Sequence, residues 1–121
     1  MSLIRWVDDA RAFMAPLARE PLSKAWVEKC MDDLAGNRGA GAFDLVVDLR
    51  SVSAVRVTSD EVRALASRCG GEAVARRVAI VAESDVIFGL ARMFAMLSEQ
   101  VLPGVVVFRR MDLALEHLAE V

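Results

Sequence analysis

Hydrophobic positions along this chain follow two different periods, and the alternation between them predicts the secondary structure. Continuous apolar runs rich in β-branched residues predict strands at Phe43–Leu49, Arg77–Ala82 and Val105–Phe108. Each run leads through a polar turn or connection into a stretch where apolar residues recur at every third or fourth position, the period of an amphipathic helix. Strand-to-helix steps of this kind are typical of an α/β fold with a mostly parallel sheet.

The same patterns predict the remaining elements. At the start of the chain, Leu3–Val7 and Ala12–Leu17 predict a hairpin, with Pro16 at the end of its second strand. The helical period occurs in four stretches, Leu22–Ala35, Thr58–Cys69, Val86–Gln100 and Met111–Glu120. We therefore expect an α/β fold of one domain, residues 1–121, in which a mixed, mostly parallel sheet of four or five strands carries about four helices.

Composition narrows the kind of partner. The chain is 55% hydrophobic and 26% charged, with a formal net charge of -2. An electrostatic nucleic-acid binder would show a basic excess, so no nucleic acid is expected. No run approaches the roughly 20 apolar residues of a spanning helix, and Met1–Val7 lacks the apolar core of a signal peptide. These features predict a cytoplasmic protein without a transmembrane segment. The high apolar content leaves surface for a partner, a homodimer included.

Four short segments of the chain resemble those of a known family. They are Phe43–Arg50, Thr58–Leu65, Ser84–Phe94 and Val107–Leu115. In this order they are similar to the small bacterial SpoIIAA-like proteins, relatives of the STAS domain of anti-sigma factor antagonists with structural kinship to the Sec14 lipid carriers. The resemblance implies a STAS-like α/β fold. Through the Sec14 kinship, it also implies contact with apolar ligands or with a membrane surface.

The turn before the second helix has two interpretations. In the antagonist branch of the resembling family, a phosphorylatable serine opens this helix within an Asp-Ser-Ser-Gly turn. The matching turn here offers Thr58 and Ser59 as phospho-acceptor candidates, although the preceding aspartate and the following glycine are missing. The alternative needs no modification, because Thr58 and Glu61 have the spacing of a helix capping box.

Polar residues gather where the predicted parallel strands end. They are Asp48, Arg50, Ser84, Asp85 and Arg109. In open α/β sheets ligands bind at this edge, so the group is a candidate cradle for a small anion near the start of the third helix. Ordinary turn and cap chemistry is the alternative interpretation.

The third helix gives the sharpest indication of function. Seven apolar residues share one broad face that we expect to point inward: Val86, Ile87, Leu90, Ala91, Met93, Phe94 and Leu97. Phe88 and Met96 fall on the opposite face with Arg92 and Glu99. An exposed Phe and Met predict a partner surface, a dimer contact or the lip of a pocket, unless another element covers them.

Catalytic motifs are missing from the sequence. It contains no Ser–His–acid set, no His/Cys metal cluster and no phosphate-binding glycine motif, so neither an enzyme nor a cofactor is expected. Cys30 and Cys69 lie on apolar helix faces, which favours buried thiols over a disulfide. The first expectation is a regulatory or protein-binding module acting through the third helix and the turn at Thr58. The alternative is a carrier or sensor of a small apolar ligand, or a peripheral membrane module, with Phe88, Leu90, Met93 and Met96 at its binding surface.

Overall fold

The computed structural model describes residues 4–8, 10–16, 20–35, 43–52, 54–68, 76–100 and 104–119. These residues form five strands and four helices, which confirms the predicted α/β class. In chain order the elements are β1 (Arg5–Asp8), β2 (Arg11–Met14), α1 (Lys24–Ala35), β3 (Asp44–Asp48), α2 (Ser59–Arg68), β4 (Arg77–Val81), α3 (Asp85–Leu97), β5 (Val105–Phe108) and α4 (Met111–Ala119).

The sheet is mixed and mostly parallel, as expected. Its strand order is β1-β2-β3-β4-β5. The antiparallel hairpin of β1 and β2 has an irregular register between Trp6 and Asp8, and the strands from β2 to β5 are all parallel. Strand β2 ends at Met14, earlier than predicted, since Pro16 has no amide hydrogen to give to a ladder. The last predicted residue of that strand, Leu17, lies outside the described residues.

Helices cover the sheet unequally. Because right-handed crossovers between strands in sequential order place successive helices on one face, α1, α2 and α3 share a side. The apolar side chains beneath them include Leu45 and Ile80. On the other side α4 packs against Val46, Ala79 and Val81, none of which has measurable exposure. Strands β3 and β4 are therefore covered on both faces, as their continuous apolar runs predicted.

A buried carboxylate ties α4 to the sheet. Asp44, at the start of β3, is only 4% exposed. It accepts hydrogen bonds from the guanidinium groups of Arg76 at 3.0 Å and Arg77 at 2.8 Å. Arg77 also donates to the carbonyl oxygen of Leu118 at 2.9 Å, within the last turn of α4. Burial acts to raise the pKa of Asp44, but the hydrogen bonds and charges of Arg77 and Arg76 outweigh it and hold that pKa below its ordinary value.

We expect Asp44→Asn to lower the free energy of unfolding by about 3 kcal/mol at pH 7, because it leaves two arginines without their buried anion. A depressed folded-state pKa gives stability that is present above the unfolded pKa and is lost as pH falls toward the folded value. The difference between wild type and variant should therefore persist from pH 7 to about 5 and shrink below the ordinary value of 3.8. Urea denaturation at pH 7 and pH 3 measures both quantities.

Asp60→Asn is the matched control. The Asp60 side chain is 93% exposed, and it pairs only with Arg63 among the described residues. Its substitution should change the free energy of unfolding by less than about 0.5 kcal/mol. Equal effects of the two substitutions would contradict a buried, paired Asp44.

Candidate functional site

An apolar cavity lies between the sheet and the three helices that share one face. Its volume is about 130 Å³. Strands β2, β3 and β4 form its floor, and α1, α2 and α3 form its walls. The lining includes Leu45, Ile80, Trp26, Leu65, Leu90 and Phe94, and none of its described residues carries a charged side chain. At about 24 cal/mol per Å³, a fully enclosed void of this volume forgoes roughly 3 kcal/mol of packing, which is an upper bound for this partly open one.

Helix α1 contributes the indole of Trp26 and the thiol of Cys30 to the cavity lining. Ser23 caps the helix, since its Oγ accepts from the backbone N–H of Trp26 at 3.2 Å. Trp26 and Cys30 are one helical turn apart, so both face the cavity side of α1. Trp26 is 5% exposed, and its Nε1–H is buried without a hydrogen-bond partner within the described part of the chain.

The thiol of Cys30 is unreactive at physiological pH. Burial, together with the charges of Asp33 and Glu20, raises its pKa to about 12. The thiol therefore stays protonated at physiological pH and is neither a nucleophile nor a metal ligand in that state. Cys30 is buried and free, as expected, whereas Cys69 lies outside the described residues.

The inward face of α3 is narrower than predicted. The helix begins after Ser84, whose Oγ accepts from the backbone N–H of Ile87 at 3.3 Å. Ile87 and Ala91 are buried, and Leu90, Met93 and Phe94 are half-buried. The prediction is wrong for Val86 and Leu97, which are 64% and 46% exposed. Both residues lie at the border of the buried stripe, about 100° and about 80° around the helix from Ile87.

The two residues predicted to face solvent from α3 have different surroundings. Met96 is 69% exposed, as expected. Phe88 is half-buried and packs against the main core, so its predicted outward position is wrong. The guanidinium carbon of Arg109 lies 4.2 Å from the centre of the Phe88 ring, and Asp85 holds Arg109 by a 2.6 Å hydrogen bond. A side chain from the strand end therefore covers the ring, which helical periodicity alone does not reveal.

The polar residues at the strand ends bond to one another rather than around an open site. Arg50 donates two hydrogen bonds of 2.9 Å to the Asp48 carboxylate. Although burial acts to raise the pKa of Asp48, these bonds outweigh it and lower that pKa. Arg109 pairs with Asp85, and the Ser84 hydroxyl caps α3. The five residues thus have partners that satisfy turns and caps, and the anion cradle stays a prediction.

Thr58 forms the predicted capping box. Its Oγ1 accepts from the backbone N–H of Glu61 at 3.2 Å, and Glu61 Oε1 accepts from the backbone N–H of Thr58 at 3.0 Å. Ser59 is the first residue of α2 and is exposed. The capping interpretation explains the positions of both side chains. Phosphorylation of Thr58 or Ser59 stays a prediction.

A second surface feature lies along the free edge of β5. An open groove of about 370 Å³ runs there, lined by Arg92, Ala95 and Met96 of α3, by Glu99 in the turn that follows it, and by Val105–Val107. Gly104 and Phe108 carbonyls accept from the β4 amides at 2.9 Å, so by alternation the backbone groups of Val105 and Val107 point away from the sheet. Unlike β1, which has a bulge, this edge is regular and uncharged.

Two further properties limit the candidate chemistry of the described residues. They contain no group of three or more His, Cys, Asp or Glu side chains placed to hold a metal ion. None of their helices has the length and apolarity needed to cross a lipid bilayer.

Comparison of the chain with protein-family models, curated proteins and solved structures finds no match. The resemblance to the SpoIIAA-like family therefore stays a prediction. The candidate site rests on its own geometry.

Sequence reasoning missed the feature that distinguishes the site. The helical period over Leu22–Ala35 places Trp26 on the apolar stripe with Cys30, in agreement with its burial, but burial does not reveal whether an indole N–H has a partner. A void is also invisible in a sequence, because it depends on how far the helices stand from the sheet. The interaction of Asp44 with Arg76 and Arg77 was missed for a similar reason, since these residues are distant in the chain.

We expect Phe88→Ala to lower the free energy of unfolding by about 2 kcal/mol, because it removes a ring that contacts the core and stacks under Arg109. Met96→Ala, two turns further along the same helix, should change it by less than about 0.5 kcal/mol. Urea denaturation of both variants at low protein concentration provides the comparison. A negligible effect of Phe88→Ala would mean that the ring faces solvent after all.

Proposed function

We propose that this protein is a non-catalytic binding module that takes up a small apolar ligand between its sheet and helices α1–α3. The observation that supports this function best is the cavity of about 130 Å³ with its uncharged lining. An engineered apolar cavity of about 150 Å³ stays dry and binds benzene. A ligand that fills the void restores contacts that the lining side chains lack.

Helix α3 links this cavity to the outer surface. Leu90 and Phe94 contribute to the cavity wall, while Arg92 and Met96 line the groove on the other side of the helix. A ligand that displaces Leu90 and Phe94 in the cavity also changes the positions of Arg92 and Met96 in the groove. This arrangement suits a sensor, in which occupancy of the cavity changes a contact surface, as well as a simple carrier.

Filling the cavity should abolish binding. Ala91 lines the cavity and is 7% exposed, and Ala91→Leu places three additional carbon atoms there. Toluene at ten times its dissociation constant should raise the free energy of unfolding of the wild type by about 1.4 kcal/mol. We expect no such rise for Ala91→Leu, measured by chemical denaturation with and without toluene.

Ala95→Leu is the control on the same helix, because Ala95 lines the outer groove instead of the cavity. This variant should keep the response to toluene. Solvent extraction and mass spectrometry of the purified proteins would show whether an apolar compound from the expression host accompanies only the wild type and Ala95→Leu. Toluene without effect on the wild type would refute the proposed function.

The protein-contact function expected from the sequence keeps support from a different observation. The groove beside β5 carries exposed apolar side chains, with Met96 at 69% and Val106 at 36%. Met96 of α3 lies between Arg92 and Glu99, the latter in the turn after the helix. No ion pair of either charged residue occurs within the described part of the chain. A two-fold axis near Met96 would bring Arg92 of each copy opposite Glu99 of the other. We propose a second copy of this chain as the partner, paired through β5.

A charge exchange tests this pairing. Arg92→Glu alone should weaken dimerisation about tenfold, because two attractions become two repulsions. The double variant Arg92→Glu with Glu99→Arg should restore it, since the exchanged charges are again complementary across the axis. Sedimentation equilibrium of the three proteins measures the dissociation constants. A wild type that stays monomeric at several hundred micromolar would exclude the second copy as partner.

A further inference from the structure

One residue that lines the cavity has a polar group without a hydrogen-bond partner. Trp26 Nε1 is the single buried side-chain nitrogen or oxygen without a hydrogen-bond partner in the described part of the chain. Folded proteins leave very few buried donors unsatisfied, because a donor taken out of water without a partner is costly. Trp26 also lines the cavity. The missing acceptor and the missing volume therefore meet at one residue. Less than 1 Å² of the Nε1 atom itself is accessible, so a ligand atom reaches it when the indole turns toward the cavity.

We propose that the ligand is a neutral, mainly apolar molecule with a single hydrogen-bond acceptor, such as the carbonyl of a ketone, ester or lactone, and that Trp26 Nε1–H donates to it. The inference rests on the proposed function and adds the chemical class of the ligand. The indole N–H is a donor only, so it selects for an acceptor and leaves no place for a second strong polar group.

The lining explains why the acceptor is neutral. The described residues of the lining include no Lys, Arg or His, so an ionised carboxylate or a phosphate would lose its hydration without gaining a counter-charge from them. The lining also holds the sulfurs of Met14, Met31 and Cys30, and of these only the Cys30 thiol is a donor, uncharged and weak. A carbonyl oxygen has lone pairs for both groups. An ionised fatty acid and a phospholipid headgroup do not match this chemistry.

The volume sets the size of the ligand. A cavity of about 130 Å³ is slightly smaller than one that holds benzene. A ligand of about six non-hydrogen atoms therefore fits without a movement of α3, and a ring compound with about seven such atoms needs a small outward shift of that helix.

A matched pair of probes separates the hydrogen bond from the filling of the cavity. Cyclohexanone and methylenecyclohexane have nearly the same shape, but only the ketone has an acceptor oxygen. The chain has two tryptophans, Trp6 and Trp26, and Trp6→Phe assigns their indole N–H signals in a proton–nitrogen correlation spectrum. We expect cyclohexanone to shift the Trp26 indole signal downfield and methylenecyclohexane to move it much less.

Affinities in a donor-free variant complete the test. Trp26→Phe keeps an aromatic ring and removes the N–H. It should weaken cyclohexanone about tenfold relative to methylenecyclohexane, because the carbonyl is then buried without a donor. The substitution also changes the cavity volume, but this affects the affinities of both probes equally. The ratio of the two dissociation constants therefore reports the loss of the hydrogen bond alone. If the variant does not fold, the indole signal of the wild type decides alone.

The two proposals fail in distinguishable ways. Binding of both probes without a ketone-specific shift of the Trp26 signal overturns the acceptor and leaves the apolar binding module in place. Binding of neither probe to the wild type overturns both.

Discussion

Burial of the Asp44 carboxylate is the constraint on which the arrangement of layers depends. Because Asp44 is almost inaccessible to water, it needs compensating charge, and Arg77 supplies it while also binding the carbonyl end of α4. The start of β3, the start of β4 and the end of α4 are thereby fixed together. The small residue Ala79 then allows α4 to lie close on the sheet. On that face Val46, Ala79 and Val81 have no measurable exposure.

The opposite face is packed differently, and the difference gives the molecule its candidate site. Three helices must cover the same strands there, and their large side chains meet over the sheet without filling the space between them. Helix α3 must fit two surfaces at once, because it contacts the cavity on one side and the edge strand β5 on the other. Helix α4 is held tightly to the sheet, whereas the layer of α1–α3 is incompletely filled. A ligand-dependent change of structure is therefore expected in the layer of α1–α3, because side chains repack most readily where they have few contacts.

How much of this was predictable depends on the range of the interactions. Local patterns located the strands β3, β4 and β5 and the Thr58 capping box, because apolar period and cap chemistry involve residues within one turn. Phe88 was misplaced because Arg109, twenty-one positions away, covers its ring. Val86 was misplaced because it lies at the border of the inward face, where the neighbouring elements and not the helical period decide exposure. The cavity and the unpaired indole depend on distances between helices, which no local pattern contains.

Two costs in this structure point to the same ligand. The void lowers the free energy of unfolding because the side chains around it lack neighbours. The Trp26 N–H lowers it because a buried donor has neither water nor an acceptor. Leucine at position 26 would remove the second cost, and larger side chains such as Leu at position 91 would reduce the first, so neither is forced by the fold. A purely apolar guest would relieve only the void, and a water molecule would satisfy the N–H but find few other polar partners in such a lining. A neutral carbonyl compound of the right size relieves both at once, which is why the two observations together specify more than either does alone.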